Sequence, residues 1–195
     1  MKLPARNRVV LGLACALLSA CATQEVTVSP TAFRLFSPAL ADNAMLEHKH
    51  SGNLKRVPSC PDGGNLSPPL QWVNVPEKAR SLVLLMEDQA GRAGLGVTHL
   101  VVYGIPASIT GFAEGELSAP PQERRFVPGK NTLGTQYLGP CPPRGNAPQH
   151  YVFTLIATDL EPGALPSGLT KDEVLKALQG GRALRASNVV FRYAY

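Results

Sequence analysis

The chain has 195 residues and a formal net charge of +5; 44% of the residues are hydrophobic and 17% are charged. This length suits one domain with a sizeable core. Three of the positive charges fall within the first 20 residues, so the charge balance gives no support to a nucleic-acid-binding function.

Residues 1–20 are predicted to be a lipoprotein signal peptide. A basic start is followed by an uncharged apolar run over 9–20, which is too short to span a bilayer. The run ends in Leu18-Ser19-Ala20-Cys21, which resembles the bacterial lipobox, so we expect Cys21 to carry lipid, palmitate included, and to become the N-terminus. An ordinary secretory signal cleaved nearby is the alternative. Cleavage also removes Lys2, Arg6 and Arg8, which lowers the net charge from +5 to +2.

Residues 21–32 are expected to form the lipidated N-terminus and a tether, because this stretch is short, polar and contains Thr, Ser and Pro. Ala22, where an aspartate could stand, resembles the pattern of lipoproteins sent to the outer membrane. The expected location is therefore the outer membrane, facing the periplasm. The folded domain is predicted to span residues 33–195.

Beside the lipidated Cys21, two cysteines, Cys60 and Cys141, remain in the predicted mature chain. Two thiols in an oxidising compartment favour one disulfide, and a bridge across so long a loop would stabilise the fold by roughly 4–5 kcal/mol in the chain-entropy model. Two buried, unpaired cysteines are the alternative.

The domain is predicted to be mainly β. Short apolar runs bounded by turn residues indicate four buried strands, at residues 81–86, 97–103, 151–157 and 189–193. One helix is predicted after the capping box Thr170–Glu173, with Gly180-Gly181 at its end. A second, weaker helix is predicted near Ala44–Glu47.

A proline-rich stretch, Gly139-Pro140-Cys141-Pro142-Pro143-Arg144-Gly145, leads into the strand that begins near Tyr151. Proline lacks an N–H and fixes φ, so this stretch is neither helix nor central strand. It is predicted to be a rigid loop at a strand end, where small binding sites are commonly built. We interpret it as one wall of a small anion pocket.

Several motifs occur in an order that resembles a known family. They are Cys60-Pro61-Asp62-Gly63-Gly64-Asn65, Ser67-Pro68-Pro69-Leu70-Gln71-Trp72, Glu87-Asp88, Thr98-His99, Ile105-Pro106-Ala107, Gly129-Lys130-Asn131-Thr132-Leu133-Gly134, Tyr137 and the Gly139–Pro143 loop. From about Phe33 to Tyr195 the chain resembles the phosphatidylethanolamine-binding protein family, also called the Raf-kinase-inhibitor-like family, in its bacterial YbhB/YbcL branch.

The resemblance implies a fold of two β-sheets, mainly antiparallel, with a few short peripheral helices. It also implies one small cavity for phosphate-like anions. Carried over by position, the ligand-binding residues are Asp88, His99, Gly139, Cys141, Gln149 and Tyr151. Gln149 stands where relatives have a second histidine, and Gln89-Ala90-Gly91-Arg92 replaces a segment that in relatives holds two prolines and a second aspartate. His150 cannot replace the missing histidine without a register slip, because adjacent strand residues face opposite sides.

The expected chemistry is hydrogen bonding to an anion. Backbone N–H groups of Gly139 and Cys141 would donate, Asp88 would fix one ring nitrogen of His99 and favour the imidazolium, and Gln149 would donate from its amide. The alternatives are a core histidine with satisfied hydrogen bonds, an aspartate that only forms a turn, a Gln149 that lies in the loop, and a Tyr151 that packs in the core.

The function these residues favour is a non-enzymatic binding module for a small anionic or phosphorylated ligand. Regulation of a protease or other envelope protein through the loop Asn43–Pro58 is the alternative. An acid/base enzyme built on Asp88 and His99 is disfavoured, because no nucleophile accompanies them. No cofactor or metal is expected; the cluster Glu47–His50 is interpreted as a solvated basic loop rather than a metal or headgroup site.

Overall fold

The computed structural model describes residues 29–55, 60, 62–120 and 124–195. The predictions for the signal peptide, for Cys21 and for most of the tether lie outside these residues. In the described part of the chain, no helix is both long and apolar enough to cross a membrane.

Nine strands form two sheets within the described residues. They are β1 (Arg34–Phe36), β2 (Ala44–Met45), β3 (Leu70–Val73), β4 (Ser81–Asp88), β5 (Val97–Pro106), β6 (Gly111–Phe112), β7 (Val127–Pro128), β8 (Gln149–Thr158) and β9 (Ala183–Tyr193). The small sheet has the order β1-β3-β6 and the large sheet β2-β9-β8-β4-β5-β7. All pairs are antiparallel except β2 with β9. The predicted mainly β fold with two antiparallel-rich sheets is confirmed.

The large sheet is buried on both faces, which explains the unbroken apolar sequence of β4. Alternate residues of a strand face opposite sides, so Leu82, Leu84 and Met86 pack toward the small sheet. Val83 and Leu85 pack on the other face, under a helix. The main core therefore lies between the two sheets.

The helix Lys171–Ala177 covers that second face. Thr170 accepts the N–H of Glu173, and the Glu173 carboxylate accepts the N–H of Thr170, so the predicted capping box is present. Val174 and Leu178 are the buried positions that hold the helix on the sheet. The helix prediction is confirmed.

The weaker helix predicted near Ala44–Glu47 is wrong. Ala44 and Met45 form β2, paired in parallel with Phe191 and Arg192 of β9. A 3₁₀ helix, His48–His50, begins just afterwards. Pairing with the end of β9 outweighs the local helix preference of these residues, as tertiary contacts commonly do.

A disulfide joins Cys60 and Cys141, with their Cα atoms 5.4 Å apart. It closes a loop of 81 residues and ties the proline-rich loop to the segment around Cys60. The predicted pairing is therefore present in the structure.

Candidate functional site

A cavity of about 600 Å³ opens at one end of the large sheet, where β4 ends and β5 and β8 begin. Antiparallel pairing sets Asp88 opposite Val97 and Glu87 opposite Val152, so the three strand ends meet there. The cavity collects five of the six predicted ligand-binding residues: Asp88, His99, Cys141, Gln149 and Tyr151. Gly139 lies behind the wall and not on the lining.

Asp88 is the buried acid of the cavity, with only 2% of its surface exposed. Its Oδ1 accepts the N–H groups of Ala90 at 2.9 Å and Gly91 at 3.1 Å. Burial raises the pKa of Asp88, while the two N–H donors and the nearby charge of His150 oppose that rise. Its Oδ2 accepts no hydrogen bond from the described residues and is not sealed from solvent, so it faces the cavity.

His99 is 3% exposed, and its Nδ1 lies 2.8 Å from the carbonyl oxygen of Leu138. A carbonyl only accepts, so Nδ1 carries the hydrogen and Nε2 of the neutral ring is an acceptor. Burial lowers the pKa of His99 from 6.5 to about 4, against the contrary effect of the Leu138 carbonyl. The imidazole is therefore neutral at neutral pH.

This geometry corrects the expected chemistry of His99. Asp88 does not fix a ring nitrogen, because its bonded oxygen accepts from its own loop while His99 is held by Leu138. The expected gain of imidazolium is also wrong, since desolvation dominates. The alternative of a buried histidine with a satisfied hydrogen bond holds for Nδ1, although His99 also lines the cavity.

Tyr151 and Gln149 occupy the same face of β8, two residues apart. The Tyr151 hydroxyl is 3.4 Å from Gln149 Oε1, and the Tyr151 ring meets His99 edge to face at 5.1 Å. Burial is the main cause that raises the pKa of Tyr151, and a hydrogen bond from the Cys141 backbone N–H opposes it. The Cys141 N–H is therefore not the free anion donor that the sequence suggested. With Oε1 facing the hydroxyl, the amide nitrogen of Gln149 is left as a donor on the lining. His150 is exposed, as the strand register predicts.

The proline-rich loop is held by interactions on its back. The Gly139 N–H donates to Asn65 Oδ1 at 2.8 Å, so it is not the free anion donor that the sequence suggested. The Pro140 carbonyl accepts the Gly52 N–H at 2.9 Å. A Cβ at Gly139 would lie 2.5 Å from the His50 carbonyl oxygen, which explains the glycine. Cys141 and Pro143 are the loop residues that reach the cavity.

The opposite wall is the turn that follows Asp88. Arg92 and Ala93 both have left-handed backbone angles, with φ of 52° and 58°. The exposed Arg92 side chain makes no hydrogen bond or ion pair with other described residues. Sequence reasoning noted this segment only as a departure from relatives and missed Arg92 as a lining residue. The nearby Gly91, Gly94 and Gly96 were a signal for a tight turn.

The Glu47–His50 cluster is not a solvated loop throughout. His50 is 1% exposed, and its Nδ1 lies 2.8 Å from the Leu66 carbonyl oxygen. Lys49 forms an ion pair with Glu114 at 2.8 Å. Among the described residues, no group of three or more His, Cys, Asp or Glu side chains could hold a metal ion.

Comparisons with known proteins agree on one family. The model of the phosphatidylethanolamine-binding protein family matches residues 36–194. A UPF0098 protein of Aquifex aeolicus is 33% identical over 167 residues, which cover 83% of this chain and 94% of that protein. A putative lipoprotein of Mycobacterium tuberculosis, LppC, is 35% identical over 152 residues, 75% of this chain and 67% of that one. The crystal structure of Escherichia coli YbcL has a similar fold, with a TM-score of 0.71 at 24% identity over 84% of this chain and 98% of that chain.

Proposed function

The chain belongs to the phosphatidylethanolamine-binding protein family, and we propose that it is a non-enzymatic binding module whose cavity between Asp88, His99 and the Cys141 loop holds a small anion of the phosphate type. A phosphorylated metabolite or headgroup would supply that anion.

One observation carries this proposal. Asp88 and His99 are each at least 97% buried, yet each keeps one polar atom that has no partner among the described residues and is open to the cavity. Buried polar atoms are normally paired, so groups left open in a concave site indicate a ligand or ordered water. Gln149 and Arg92 add donors to the same lining, as an anion requires.

Titration with inorganic phosphate, followed by amide and histidine NMR, tests the proposal. We expect saturable shifts at His99, Gln149 and Tyr151. Gln149→Ala removes the neutral donor and should weaken binding by about tenfold or more, since a hydrogen bond to a charged partner contributes about 1.5–3 kcal/mol. Gln71→Ala is the matched control, because Gln71 is exposed on the small sheet. An absence of saturable shifts at millimolar phosphate would refute the function.

The proposed setting is the outer membrane, with lipid on Cys21 and the domain facing the periplasm. The name of LppC as a putative lipoprotein supports a lipid anchor for this chain. Radiolabelled palmitate should enter the wild-type protein and not a Cys21→Ser variant, which should leave the membrane fraction. Equal labelling of both proteins would contradict the assignment.

The alternative, regulation of an envelope protein through Asn43–Pro58, gains no specific support. Residues 50–52 of this segment are buried, and Gly52 holds the proline-rich loop through the Pro140 carbonyl. Deleting the segment would therefore damage the cavity wall. Single substitutions at exposed positions, such as Glu47→Ala, are the appropriate test of that alternative.

A further inference from the structure

Two buried side chains that line the cavity, Asp88 and His99, present acceptor atoms to it. Asp88 Oδ2 is a carboxylate oxygen and therefore accepts hydrogen bonds. His99 Nε2 carries a lone pair and also accepts, because Nδ1 holds the ring hydrogen and donates it to the Leu138 carbonyl. An anion whose oxygens carry no hydrogen would place its lone pairs against these two atoms. Such a contact leaves buried acceptors unsatisfied and adds repulsion between negative charges.

The groups around Asp88 do not reverse this pattern. His99 faces it from β5 as a neutral ring and Tyr151 faces it from β8, whereas His150 is exposed and belongs to the opposite face of β8. Among the lining residues that the structure describes, Arg92 alone carries a positive charge, and its side chain is exposed at the mouth. The two buried acceptors, Asp88 Oδ2 and His99 Nε2, therefore need a donor from the ligand.

We propose that the anion held here carries its own hydroxyl: a phosphate or phosphomonoester with a P–OH group that donates to Asp88 Oδ2 or His99 Nε2. Its remaining oxygens accept from the Gln149 amide and from Arg92. This inference rests on the proposed anion-binding function and names the chemical class of the ligand. It excludes sulfate and phosphodiesters, and so excludes every phospholipid headgroup whose phosphate is a diester, because these anions have no hydroxyl on the central atom.

The first test compares hydrogen phosphate with sulfate by calorimetry on the folded, unlipidated domain. At about pH 8, above the second phosphate pKa of roughly 6–7, both are dianions of nearly the same size, and the hydroxyl is the main difference. We expect phosphate to bind about tenfold or more tightly, since a hydrogen bond to a charged acceptor is among the stronger ones.

A second arm separates the sources of phosphate at about pH 6, where a phosphomonoester still carries a hydroxyl on a large fraction of molecules. Methyl phosphate is the probe for monoesters, and dimethyl phosphate, a monoanion without a hydroxyl, is the probe for diesters. We expect dimethyl phosphate to bind at least about tenfold more weakly than dihydrogen phosphate. Methyl phosphate that binds like phosphate indicates an esterified ligand, and methyl phosphate that binds less well indicates free phosphate.

The Asp88→Asn variant tests whether the acceptor Oδ2 of Asp88 causes the preference for phosphate over sulfate. An amide oxygen in place of Oδ1 still accepts from Ala90 and Gly91, so the amide nitrogen takes the place of Oδ2 and turns an acceptor into a donor. Sulfate affinity should rise and the preference for phosphate should fall to within about threefold. Asp159→Asn is the matched control, since this exposed acid follows the opposite end of β8 and should leave the preference unchanged.

The outcomes separate the two proposals. Phosphate binding with strong rejection of sulfate, lost in Asp88→Asn, supports the inference. Sulfate or dimethyl phosphate that binds wild type within about threefold of phosphate overturns it and leaves anion binding standing. Binding of none of these anions overturns the proposed function and the inference together. The wild-type comparison decides the question even if Asp88→Asn does not fold.

Discussion

The two walls of the cavity are built in opposite ways. The wall at Gly139–Pro143 is tied down by a disulfide, by the Gly139 N–H to Asn65 and by the Gly52 N–H to Pro140. The wall at Ala90–Gly96 is largely exposed, and two of its consecutive non-glycine residues lie in the left-handed region. One wall is over-determined by its contacts, and the other carries local strain.

This contrast shows how a single cavity can have one wall held by contacts and one strained wall. A left-handed conformation costs an L-residue roughly 1–2 kcal/mol, which the fold tolerates where surrounding structure fixes the chain. Here the hydrogen bonds from the Ala90 and Gly91 N–H groups to Asp88 Oδ1 provide that constraint. The fixed wall positions Cys141 and the buried ring of Tyr151, whereas the strained wall positions Asp88 and presents Arg92.

Removing the disulfide should have the largest effect on this contrast. The chain-entropy model gives a loss of about 4–5 kcal/mol for a loop of 81 residues. We expect the Cys60→Ala/Cys141→Ala variant to lose that order of free energy of unfolding in urea titrations. Wild type kept in reductant is the control and should match the variant. A loss under about 1 kcal/mol would show that the hydrogen bonds alone hold this wall.

The pH dependence of stability should report the burial of His99. Its pKa is about 4 in the folded protein and ordinarily 6.5, so the unfolded chain binds more protons between these values. His99 therefore does not change the free energy of unfolding above pH 6.5, and it lowers that free energy increasingly as the pH falls toward 4. The stability lost through His99 between pH 6.5 and pH 4 amounts to about 3 kcal/mol.

Unfolding titrations of wild type and His99→Gln between pH 7 and 4 measure that contribution as the difference between their slopes. Other titrating groups, Asp88 included, contribute to both proteins and largely cancel. Parallel curves would mean that burial does not lower the pKa of His99. A wild type that gains stability relative to His99→Gln as the pH falls would indicate the imidazolium that was expected from the sequence.

Gly139→Ala should destabilise the fixed wall by about 1–3 kcal/mol. The added Cβ would lie 2.5 Å from the His50 carbonyl oxygen and 2.7 Å from the Gly52 nitrogen, both backbone atoms that cannot move aside alone. Gly163→Ala is the matched control, because a Cβ there meets nothing within 4 Å and its φ is not positive. Thermal melts should separate the two; an equal, small effect would show that the wall is not close-packed.

The sequence predicted the strands because their apolar runs are long and bounded by turns. It predicted the shorter segment 81–86 where β4 continues to Asp88, since the polar Glu87 and Asp88 do not look like a buried strand. The helix at Lys171 was predictable because its capping box is local. The strand at Ala44 was not predictable from local sequence, because its partner strand is β9, nearly 150 residues away.

For the site, the motifs predicted which residues share the cavity, and the structure brings five of the six together. They could not predict the partners of those residues. The acceptor for His99 is a backbone carbonyl 39 residues away, and the acceptor for the Gly139 N–H is an Asn65 side chain 74 residues away. The direction of the His99 pKa depends on burial, which spacing in the sequence does not reveal.

The smallest effect is expected at the strained wall, and it should have the opposite sign. Ala93→Gly relieves a left-handed conformation, a gain of roughly 1 kcal/mol that the greater freedom of glycine in the unfolded chain offsets by about 0.4–1 kcal/mol. The net result should lie between no change and a stabilisation of about 0.6 kcal/mol. Ala164→Gly is the matched control, since this exposed loop alanine has no positive φ and should lose about 0.4–1 kcal/mol. If both variants lose the same amount in urea titrations, the strain at Ala93 is absent in solution, and the two walls differ only in their contacts.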